Sequence, residues 1–488
     1  MIVVLIVVVA IVCYFLMAKR KSVDSIPMVK GGLPFFGHAF IMMKGSPWDT
    51  MAEWAREYGT ICRFHLFGSE AVCIADPQAL KTVLQTKLSS FKKDTEWTYK
   101  PFMVLLGNGI VTSEGQSWHR QRRLLASYLK FDILNVIPSI TVKAVQRLIR
   151  KLEKAREDKQ VVEMAEEFRH LTLQVIGEAL LSLSPEECDE TFAVMYLPIV
   201  QEGNLRTWDP TRMYLPTPAF FQHQKDVKRL NDYVTSLITK RWEHNNHLKS
   251  LGKDKDNNDV LDKILGSITD EEWGTAVIEQ VRDEIKTFVL AGHETSASML
   301  AWALYEMSID SGKDIVKQAV TEAKTVYGKY MDKIGLVTSL PGKESLDQLL
   351  HTECCLREAL RKYSNVPTVV RVAVEDVQVG GHLLPKGSTV MVSMQGVHHN
   401  PQFWPEPLKF DPSRFLTETA PFTYLPFIDG PRSCLGQYLA LLESKIVLSM
   451  LVSRFRFEVL DPVEAGRKHP FMVPIIPNTG HNVRVYDR

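Results

Sequence analysis

The sequence has few cysteines for its length, and they follow no metal or redox spacing. Seven are spread over 488 residues, and no Cys-x-x-Cys pair occurs. This excludes a zinc ribbon and a thioredoxin-like motif, and an odd, widely spaced set is a poor disulfide framework. We therefore expect free thiols in a reducing compartment, most of them small buried side chains. The cysteines are Cys13, Cys62, Cys73, Cys188, Cys354, Cys355 and Cys434.

An excess of charge of one sign is also missing. The 58 Lys and Arg residues balance 57 Asp and Glu residues, which leaves a formal net charge of +1. This balance argues against a protein that binds polyanions, so nucleic acid is not an expected partner. There is no low-complexity segment and no internal repeat, and 45% hydrophobic residues are enough for a large core.

The longest hydrophobic run of the sequence lies at its N-terminus. Residues 2–18 are apolar without interruption, and Lys19, Arg20 and Lys21 follow directly. A membrane span needs about 20 residues, so the run is short but sufficient. A cleaved signal peptide, the alternative, would carry its basic residues before the run. We expect 1–21 to be a retained single-pass transmembrane anchor, which by the positive-inside rule leaves the remaining chain in the cytoplasm.

Two regions beyond the anchor read as β-structure, and helices fill the interval between and after them. Residues 22–38 form a Pro- and Gly-rich connector, 61–67 and 71–74 a hairpin, and 369–392 a second β region around Gly380 and Gly381. We read 249–259 as an exposed loop. Helical periodicity predicts helices at 133–157, 161–181, 224–244, 271–310, 346–363 and 438–455.

The fold class that follows is mainly α with small β-sheets. Strands occur on both sides of the helical block, so a cut between them would break a shared sheet. We therefore expect one large interleaved domain over 39–488, behind the anchor and the connector.

The segment 427–436, FIDGPRSCLG, places a cysteine in a glycine-bracketed loop before a predicted helix. Backbone N–H groups and the helix dipole at such a position favour a thiolate. Gly430 and Gly436 would let the backbone approach a flat partner closely, and Arg432 could neutralise a carboxylate of that partner. Taken alone, Cys434 could equally be a structural cysteine in a turn.

Five motifs in order, together with the anchor and connector, resemble the cytochrome P450 family of haem-thiolate monooxygenases over essentially the whole chain. They are the haem-binding loop at 427–436, ExxR at 358–361 (EALR), the following Arg-containing loop at 410–415 (FDPSRF), the oxygen-activating motif at 291–295 (AGHET) and WxxxR at 118–122 (WHRQR).

The resemblance implies a haem b with Cys434 as the thiolate ligand of its iron, and a thiolate ligand favours O–O cleavage. Because Ala291 stands where some relatives carry a glutamate esterified to the haem, we expect the haem to be non-covalent. The resemblance assigns haem contacts to Trp118, Arg122, Arg371 and Arg432 around the propionates, and to Phe427, Gly430 and Gly436 in the loop.

Two further pairs take roles from the resemblance. Glu358 and Arg361 would join Arg414 in a buried ion network; on an exposed helix face they would be worth only about 0.2–0.5 kcal/mol. Glu294 and Thr295 would relay protons to oxygen as the catalytic pair, whereas the alternative for the motif's Gly292 is a packing notch.

Histidines and neighbouring cysteines do not add a metal site. We read His293, His398 and His399 as structural, because none has a partner at zinc spacing. Neither Cys354 nor Cys355 is expected to be a ligand.

The expected function is insertion of one oxygen atom of O2 into a lipophilic substrate of fatty-acid, carotenoid, sterol or terpenoid type, in the endoplasmic reticulum membrane. Residues 102–105, 365–371 and 470–474 correspond to pocket-lining segments of the family. Electrons would come from a separate NADPH-cytochrome P450 reductase, because the chain has no dinucleotide-binding unit of its own. The alternatives are a haem-thiolate isomerase or dehydratase acting on peroxides without O2, and a non-enzymatic haem carrier.

Overall fold

The structure, a computed structural model, describes residues 23–129, 133–253, 259–330, 337, 339 and 341–488. The anchor expected at 1–21 and the middle of the loop expected at 249–259 lie outside these residues. Within the described ranges, no helix is both long and apolar enough to cross a membrane.

Helices dominate the described chain, as the periodicity predicts. Shorter helices occur at Ala39–Met42, Pro77–Lys81, Met103–Leu106, Val260–Gly266, Lys343–Leu346, Met394–His398 and Pro462–Ala465. The long helices are α1 (Pro47–Glu57), α2 (Gly115–Ser127), α3 (Ile133–Glu157), α4 (Met164–Leu181), α5 (Ala193–Trp208), α6 (Pro218–Ser250), α7 (Thr275–Ser308), α8 (Lys313–Tyr327), α9 (Leu350–Tyr363) and α10 (Gln437–Arg454).

The strands form small sheets, which confirms the predicted class of mainly helical protein with little β-structure. The strands are β1 (Ile61–Leu66), β2 (Ser69–Ile74), β3 (Phe91–Lys93), β4 (Val162–Glu163), β5 (Thr368–Ala373), β6 (Val377–Val379), β7 (His382–Leu384), β8 (Thr389–Ser393), β9 (Phe455–Val459) and β10 (Asn482–Asp487). One sheet has the order β1-β2-β8-β5-β3, another has the order β4-β10-β9, and β6 pairs with β7.

The chain divides into two compact units that are interleaved in sequence. The sheet unit comprises the residues up to Asp94, Arg357–Cys434 and Lys468–Ile475. The helical unit comprises Thr95–Leu356, Leu435–Arg467 and Ile476–Arg488. In the sheet unit, β2 pairs in parallel with β8, so the early and late strand regions share one sheet as predicted. The boundaries 1–21, 22–38 and 39–488 stay predictions.

Two tight turns explain the predicted hairpins. Phe67 and Gly68 between β1 and β2 both have positive φ, and so do Gly380 and Gly381 between β6 and β7. This is the backbone of a two-residue hairpin turn whose twist matches that of the strands. The first turn therefore begins at Phe67, which is the last residue of the strand predicted at 61–67.

The predicted connector pairs with β1. Met28 forms a bridge with Arg63, whose N–H donates to Pro27 O and whose carbonyl accepts from Val29 N–H, each at 2.9 Å. Ile26 and Val29 are buried in the sheet unit. The segment ahead of the first helix is therefore an additional sheet edge and not a free linker.

Some helices begin or end at other residues than the hydrophobic periodicity predicts, and capping residues mark these ends. The helix predicted from residue 161 begins at Met164, because Val162 and Glu163 pair with β10 and the Glu163 carboxylate caps the helix. The helix predicted at 224–244 extends over Pro218–Ser250, and Thr217 caps its start.

A buried ion network organises the sheet unit. Glu358 and Arg361 on α9 are both 0% exposed. Arg361 Nε lies 2.7 Å from Glu358 Oε2, and Arg361 Nη2 lies 2.9 Å from Oε1. Arg414 Nε forms an ion pair with Glu358 Oε1 at 3.3 Å. The network predicted for these three residues is therefore present.

The remaining bonds of the network go to the backbone of the segment that leads toward Cys434. Arg361 donates to the carbonyls of His398 and Lys409 at 2.8 and 3.3 Å, and Glu358 accepts from Asp411 N–H at 2.9 Å. From His398 to Gln437, the described chain has one regular element, a short 3-10 helix at Pro412–Leu416. This irregular segment is thus fixed by side chains of α9.

We expect Glu358→Gln to lower the free energy of unfolding by about 3–5 kcal/mol, because it leaves the buried Arg361 guanidinium without its counter-charge. Urea denaturation followed by circular dichroism measures the change. Asp232→Asn, which removes an exposed i,i+4 pair with Lys228, is the control and should cost about 0.5 kcal/mol or less. A loss below about 1 kcal/mol in Glu358→Gln would contradict the structural role.

Candidate active site

The loop before α10 has a closed backbone geometry. Cys434 N–H donates to Phe427 O at 2.9 Å, and Ser433 N–H donates to Gly430 O at 3.0 Å. Gly430 has φ +80°, and a Cβ there would collide with the carbonyl oxygen of Leu84. The glycine is therefore required by the protein's own backbone, which is a different reason from the close approach of a flat partner that its position suggested.

Cys434 differs from the other described cysteines in accessibility. It is exposed, whereas Cys62, Cys73, Cys188, Cys354 and Cys355 are buried. Burial raises the pKa of Cys188 to about 12, so that thiol stays protonated. A hydrogen bond with Cys62, with burial as the next cause, raises the pKa of Cys73 well above its ordinary value. Among these thiols, Cys434 alone has the accessibility that a ligand to a bound metal requires.

Two buried cations lie opposite each other on β3 and β5 of the sheet unit. Arg371 and Lys93 are register partners, at 4% and 8% exposure. Side chains directly opposite on antiparallel strands share a face. Among the described residues, no carboxylate forms an ion pair with Arg371, whose Nη1 donates to Val370 O at 2.9 Å. Arg371 thus fits a bound carboxylate such as a haem propionate.

The other predicted haem contacts are found in both units. Phe427 and Arg432 of the sheet unit are half-buried. Trp118 is buried and Arg122 half-buried on α2 of the helical unit, four residues apart and hence on one helix face. Gly436 is the N-cap residue of α10, so Cys434 lies two residues before the N-cap of that helix.

The predicted catalytic pair lies in the middle of α7, and its two side chains have different partners. Glu294 is buried, and its Oε2 lies 3.4 Å from Nε of Arg169 on α4. Thr295 Oγ1 donates to Ala291 O at 2.6 Å, four residues earlier on the same helix. This return of a hydroxyl to the helix backbone is the local distortion expected of a threonine at this place.

Gly292 has a packing role. A Cβ at Gly292 would lie 3.0 Å from Ile176 Cδ1, so the absence of a side chain lets α7 pack closely on α4. The packing notch is therefore present beside the hydroxyl of Thr295.

The first half of α7 holds the predicted pocket segment by side-chain contacts. Lys286 Nζ donates to Val104 O at 3.1 Å. Asp283 Oδ2 accepts from Asn108 N–H at 3.1 Å, and Glu284 Oε2 accepts from Ile110 N–H at 3.0 Å. The segment that contains residues 102–105 and the predicted catalytic pair thus depend on one helix.

In the sheet unit, the other two predicted pocket segments lie together. Ile475, the residue after the segment 470–474, donates its N–H to Asn365 O at 2.9 Å, which joins the end of that segment to the start of 365–371. The segments are far apart in sequence, and the motifs alone gave no reason for this contact.

The histidines are buried and structural. His398 Nε2 accepts from Leu425 N–H at 2.8 Å and its Nδ1 bonds Ser364 Oγ at 2.8 Å, while burial holds its pKa well below the usual range. His399 bonds Lys362 O. His293 packs its ring against Tyr196.

Sequence reasoning missed Arg169, Lys93 and the polar side chains at the start of α7. Arg169 occurs in a helix with ordinary amphipathic spacing, where an arginine reads as solvent-exposed. Lys93 could have been found only from the strand register, which pairs it with Arg371.

Comparison with known proteins agrees with the motifs. A model of the cytochrome P450 family matches residues 27–480. The chain is 27% identical to cytochrome P450 4c21 of Blattella germanica, with 92% of this chain and 91% of that protein covered. It is 28% identical to human cytochrome P450 4V2, with 90% and 86% covered. With cytokinin hydroxylase of Arabidopsis thaliana the identity is 27%, over 83% of this chain and 77% of that protein.

A solved structure has the same fold. The crystal structure of the cytochrome P450DA heme domain matches with a TM-score of 0.80 at 23% identity, over 95% of this chain and 97% of that chain.

Glu284 makes the stability of the helical unit depend on pH. Burial raises its pKa from 4.5 to about 7. Between these values the folded protein keeps a proton that the unfolded chain releases, so the contribution of Glu284 to stability falls as pH rises from about 4.5 to 7. We expect Glu284→Gln to gain up to about 3 kcal/mol in unfolding free energy, relative to wild type, as the pH is raised from 4.5 to 8.

The measurement is a series of urea denaturations across that pH range. Glu279→Gln, on an exposed position of the same helix, is the matched control and should run parallel to wild type. Parallel curves for Glu284→Gln and wild type would show that Glu284 titrates as an ordinary exposed carboxyl.

Proposed function

Because the chain belongs to the cytochrome P450 family, and is therefore a monooxygenase with a haem b held by a cysteine thiolate, we propose that Cys434 is that ligand. The observation that carries the proposal is the exposed thiol in a closed loop just before α10. The N–H groups that begin a helix favour a negatively charged sulfur nearby.

The cations of the predicted haem contacts suit the propionates. Arg371, with no carboxylate partner among the described residues, would bind one of them. Trp118, Arg122 and Arg432 would complete the set. Phe427, Gly430 and Gly436 would shape the loop around Cys434. Bound there, the haem would supply oxygen activation, with the thiolate favouring O–O cleavage.

The role proposed for Glu294 and Thr295 is proton delivery. Thr295 carries a hydroxyl that can donate a proton, and it must release Ala291 O to do so. Glu294, adjacent in sequence, would relay a proton to that hydroxyl, and the ion pair with Arg169 orients its carboxylate. An isomerase that works without O2 has no need of this pair, so its presence favours the monooxygenase.

For the substrate we propose a lipophilic molecule, of fatty-acid, carotenoid, sterol or terpenoid type. Leu105 is buried beside Met103 and Phe102 in the segment that α7 holds, which supports an apolar lining. We further propose that electrons come from an NADPH-dependent flavoprotein reductase. Residues 1–21 would anchor the chain in the endoplasmic reticulum membrane, with the catalytic domain in the cytoplasm.

Cys434→Ser should abolish the strongly red-shifted Soret band that reduced, thiolate-ligated haem gives with carbon monoxide. Serine cannot supply the sulfur that produces this band. Cys188→Ala, which removes a buried thiol, should keep the band. If Cys434→Ser retains it, another cysteine is the ligand.

Thr295→Ala should bind haem and ligand normally but convert a smaller fraction of the consumed NADPH into product, with more hydrogen peroxide released. Loss of a proton donor typically costs 10²–10⁴-fold, and water can replace a hydroxyl in part, so we expect a loss of about 100-fold or less. Product and peroxide are measured per NADPH oxidised in the presence of a reductase. Thr295→Ser, which keeps the hydroxyl, should remain close to wild type, and unchanged coupling in Thr295→Ala would count against the relay.

A further inference from the structure

Lys286 on α7 is a buried lysine of the helical unit. It is 1% exposed, and burial of an ammonium group is costly unless its charge and its donors have partners. Its Nζ donates to Val104 O at 3.1 Å and to Asn231 Oδ1 at 2.9 Å. The carboxylate of Asp283, which Arg282 also contacts at 3.5 Å, lies 3.2 Å away and supplies the counter-charge. An ammonium group has three donors, so each of them has an acceptor here.

The three acceptors belong to three different parts of the helical unit. Val104 is in the predicted pocket segment 102–105, Asn231 lies on α6, and Asp283 lies one turn before Lys286 on α7. The ammonium can reach all three at once only while these parts keep their positions relative to each other. A buried ion pair of this kind adds little stability over an apolar side chain, so its effect is to restrict the packing around it.

Two glycines let the chain after the pocket segment pack closely against α7. Gly107 has φ +46°, and a Cβ there would collide with Asp283 Oδ2. A Cβ at Gly109 would collide with Thr287 Oγ1. The contact therefore covers the helix turn from Asp283 to Thr287, which contains Lys286, and close packing leaves no room for a different arrangement there.

Val104 combines a fixed backbone with an exposed side chain. Its carbonyl is bound to Lys286, yet the residue is 37% exposed, whereas Leu105 and Leu106 after it are buried. An exposed apolar side chain on a fixed backbone suits contact with an apolar ligand. Lys286 precedes Thr295 by nine residues on the same helix. This spacing corresponds to about 13 Å along the helix axis, so Val104 is held at a set distance from the proposed proton donor.

We propose that Lys286 is a positioning residue that sets ligand selectivity, because it holds the pocket segment 102–105 in one place relative to α6 and α7. This inference rests on the proposed function, since it concerns the pocket for the lipophilic substrate. A rigid pocket wall accepts ligands whose shape matches it, whereas a wall that can move adapts to many shapes. Loss of the ammonium lets the segment shift. Binding then becomes less selective, without becoming weaker for every ligand.

The test uses imidazoles, because their binding to haem iron shifts the haem absorption and requires no known substrate. Imidazole, 1-dodecylimidazole and 1-(1-adamantyl)imidazole are titrated into the full-length protein; the first reports on the haem alone, the second is linear and the third is globular. Wild type should bind one substituted compound at least about tenfold more tightly than the other, a difference of about 1.4 kcal/mol. In Lys286→Met this ratio should fall to about threefold or less, with unchanged affinity for imidazole. Equal binding of both compounds by wild type, or an unchanged ratio in the variant, would overturn the proposal.

Two comparisons separate positioning from a general loss of stability. Lys228→Met is the matched control, because it makes the same change at an exposed position of α6 and should keep the wild-type ratio. Asn231→Asp retains an acceptor for Lys286 and should also keep the ratio, whereas Asn231→Leu removes the acceptor and should lower the ratio by about threefold or more. A role in stability alone would weaken all three imidazoles in parallel, or none of them.

The outcome is separable from the ligand assignment. Haem content and the carbon monoxide band, which depend on Cys434, are measured for each variant. Where Lys286→Met folds poorly, the test rests on Asn231→Leu, which changes a half-buried position. A normal band with an unchanged ratio in Asn231→Leu would overturn the role of Lys286 and leave the proposed function intact. A wild type without the band would contradict the proposed function, whatever its selectivity.

Discussion

The buried contact between Glu358 and Arg361 fixes the part of the chain that has almost no secondary structure of its own. Two charges at 0% exposure are tolerated because nearly every polar atom has a partner: each other, Arg414, and backbone groups of residues 398, 409 and 411. Such a pair adds little to stability compared with an apolar core, but its loss is expensive. Its main effect is to restrict the conformation of the chain around it. The irregular segment that ends in Cys434 has few alternatives that leave these charges satisfied.

In the helical unit, helix α7 has the role that this ion pair has in the sheet unit: it holds other segments in place. Most of its residues after Val281 are buried, and several of its polar residues have individual partners: Lys286 and Glu284 hold the segment 104–110, and Glu294 binds Arg169. Buried polar groups on one rigid element keep the distances between them constant. The proposed proton donor and the proposed pocket lining are therefore both positioned by this helix.

Much of this arrangement could be predicted from sequence, for physical reasons that differ from element to element. Helix α3 has the predicted bounds because its apolar stripe continues over the whole of Ile133–Glu157. The hairpins follow from glycines that permit positive φ. Arg169 and Lys93 could not be found, because each is an ordinary residue in its own helix or strand. Their significance arises from neighbours that only tertiary structure creates.

The pairing of the segment before residue 38 with β1 has a practical consequence for handling the protein. Residues 27–29 lie along the edge of β1 and bond to the backbone of Arg63. A shortened chain that starts after residue 29 would expose the polar edge of β1 and uncover the apolar side chains that Ile26 and Val29 now bury. We expect such a chain to aggregate through pairing of the exposed sheet edges. A chain that starts at Val23 keeps residues 26–29, so the edge of β1 stays covered. For recombinant production, keeping these residues matters more than removing hydrophobic residues from the N-terminus.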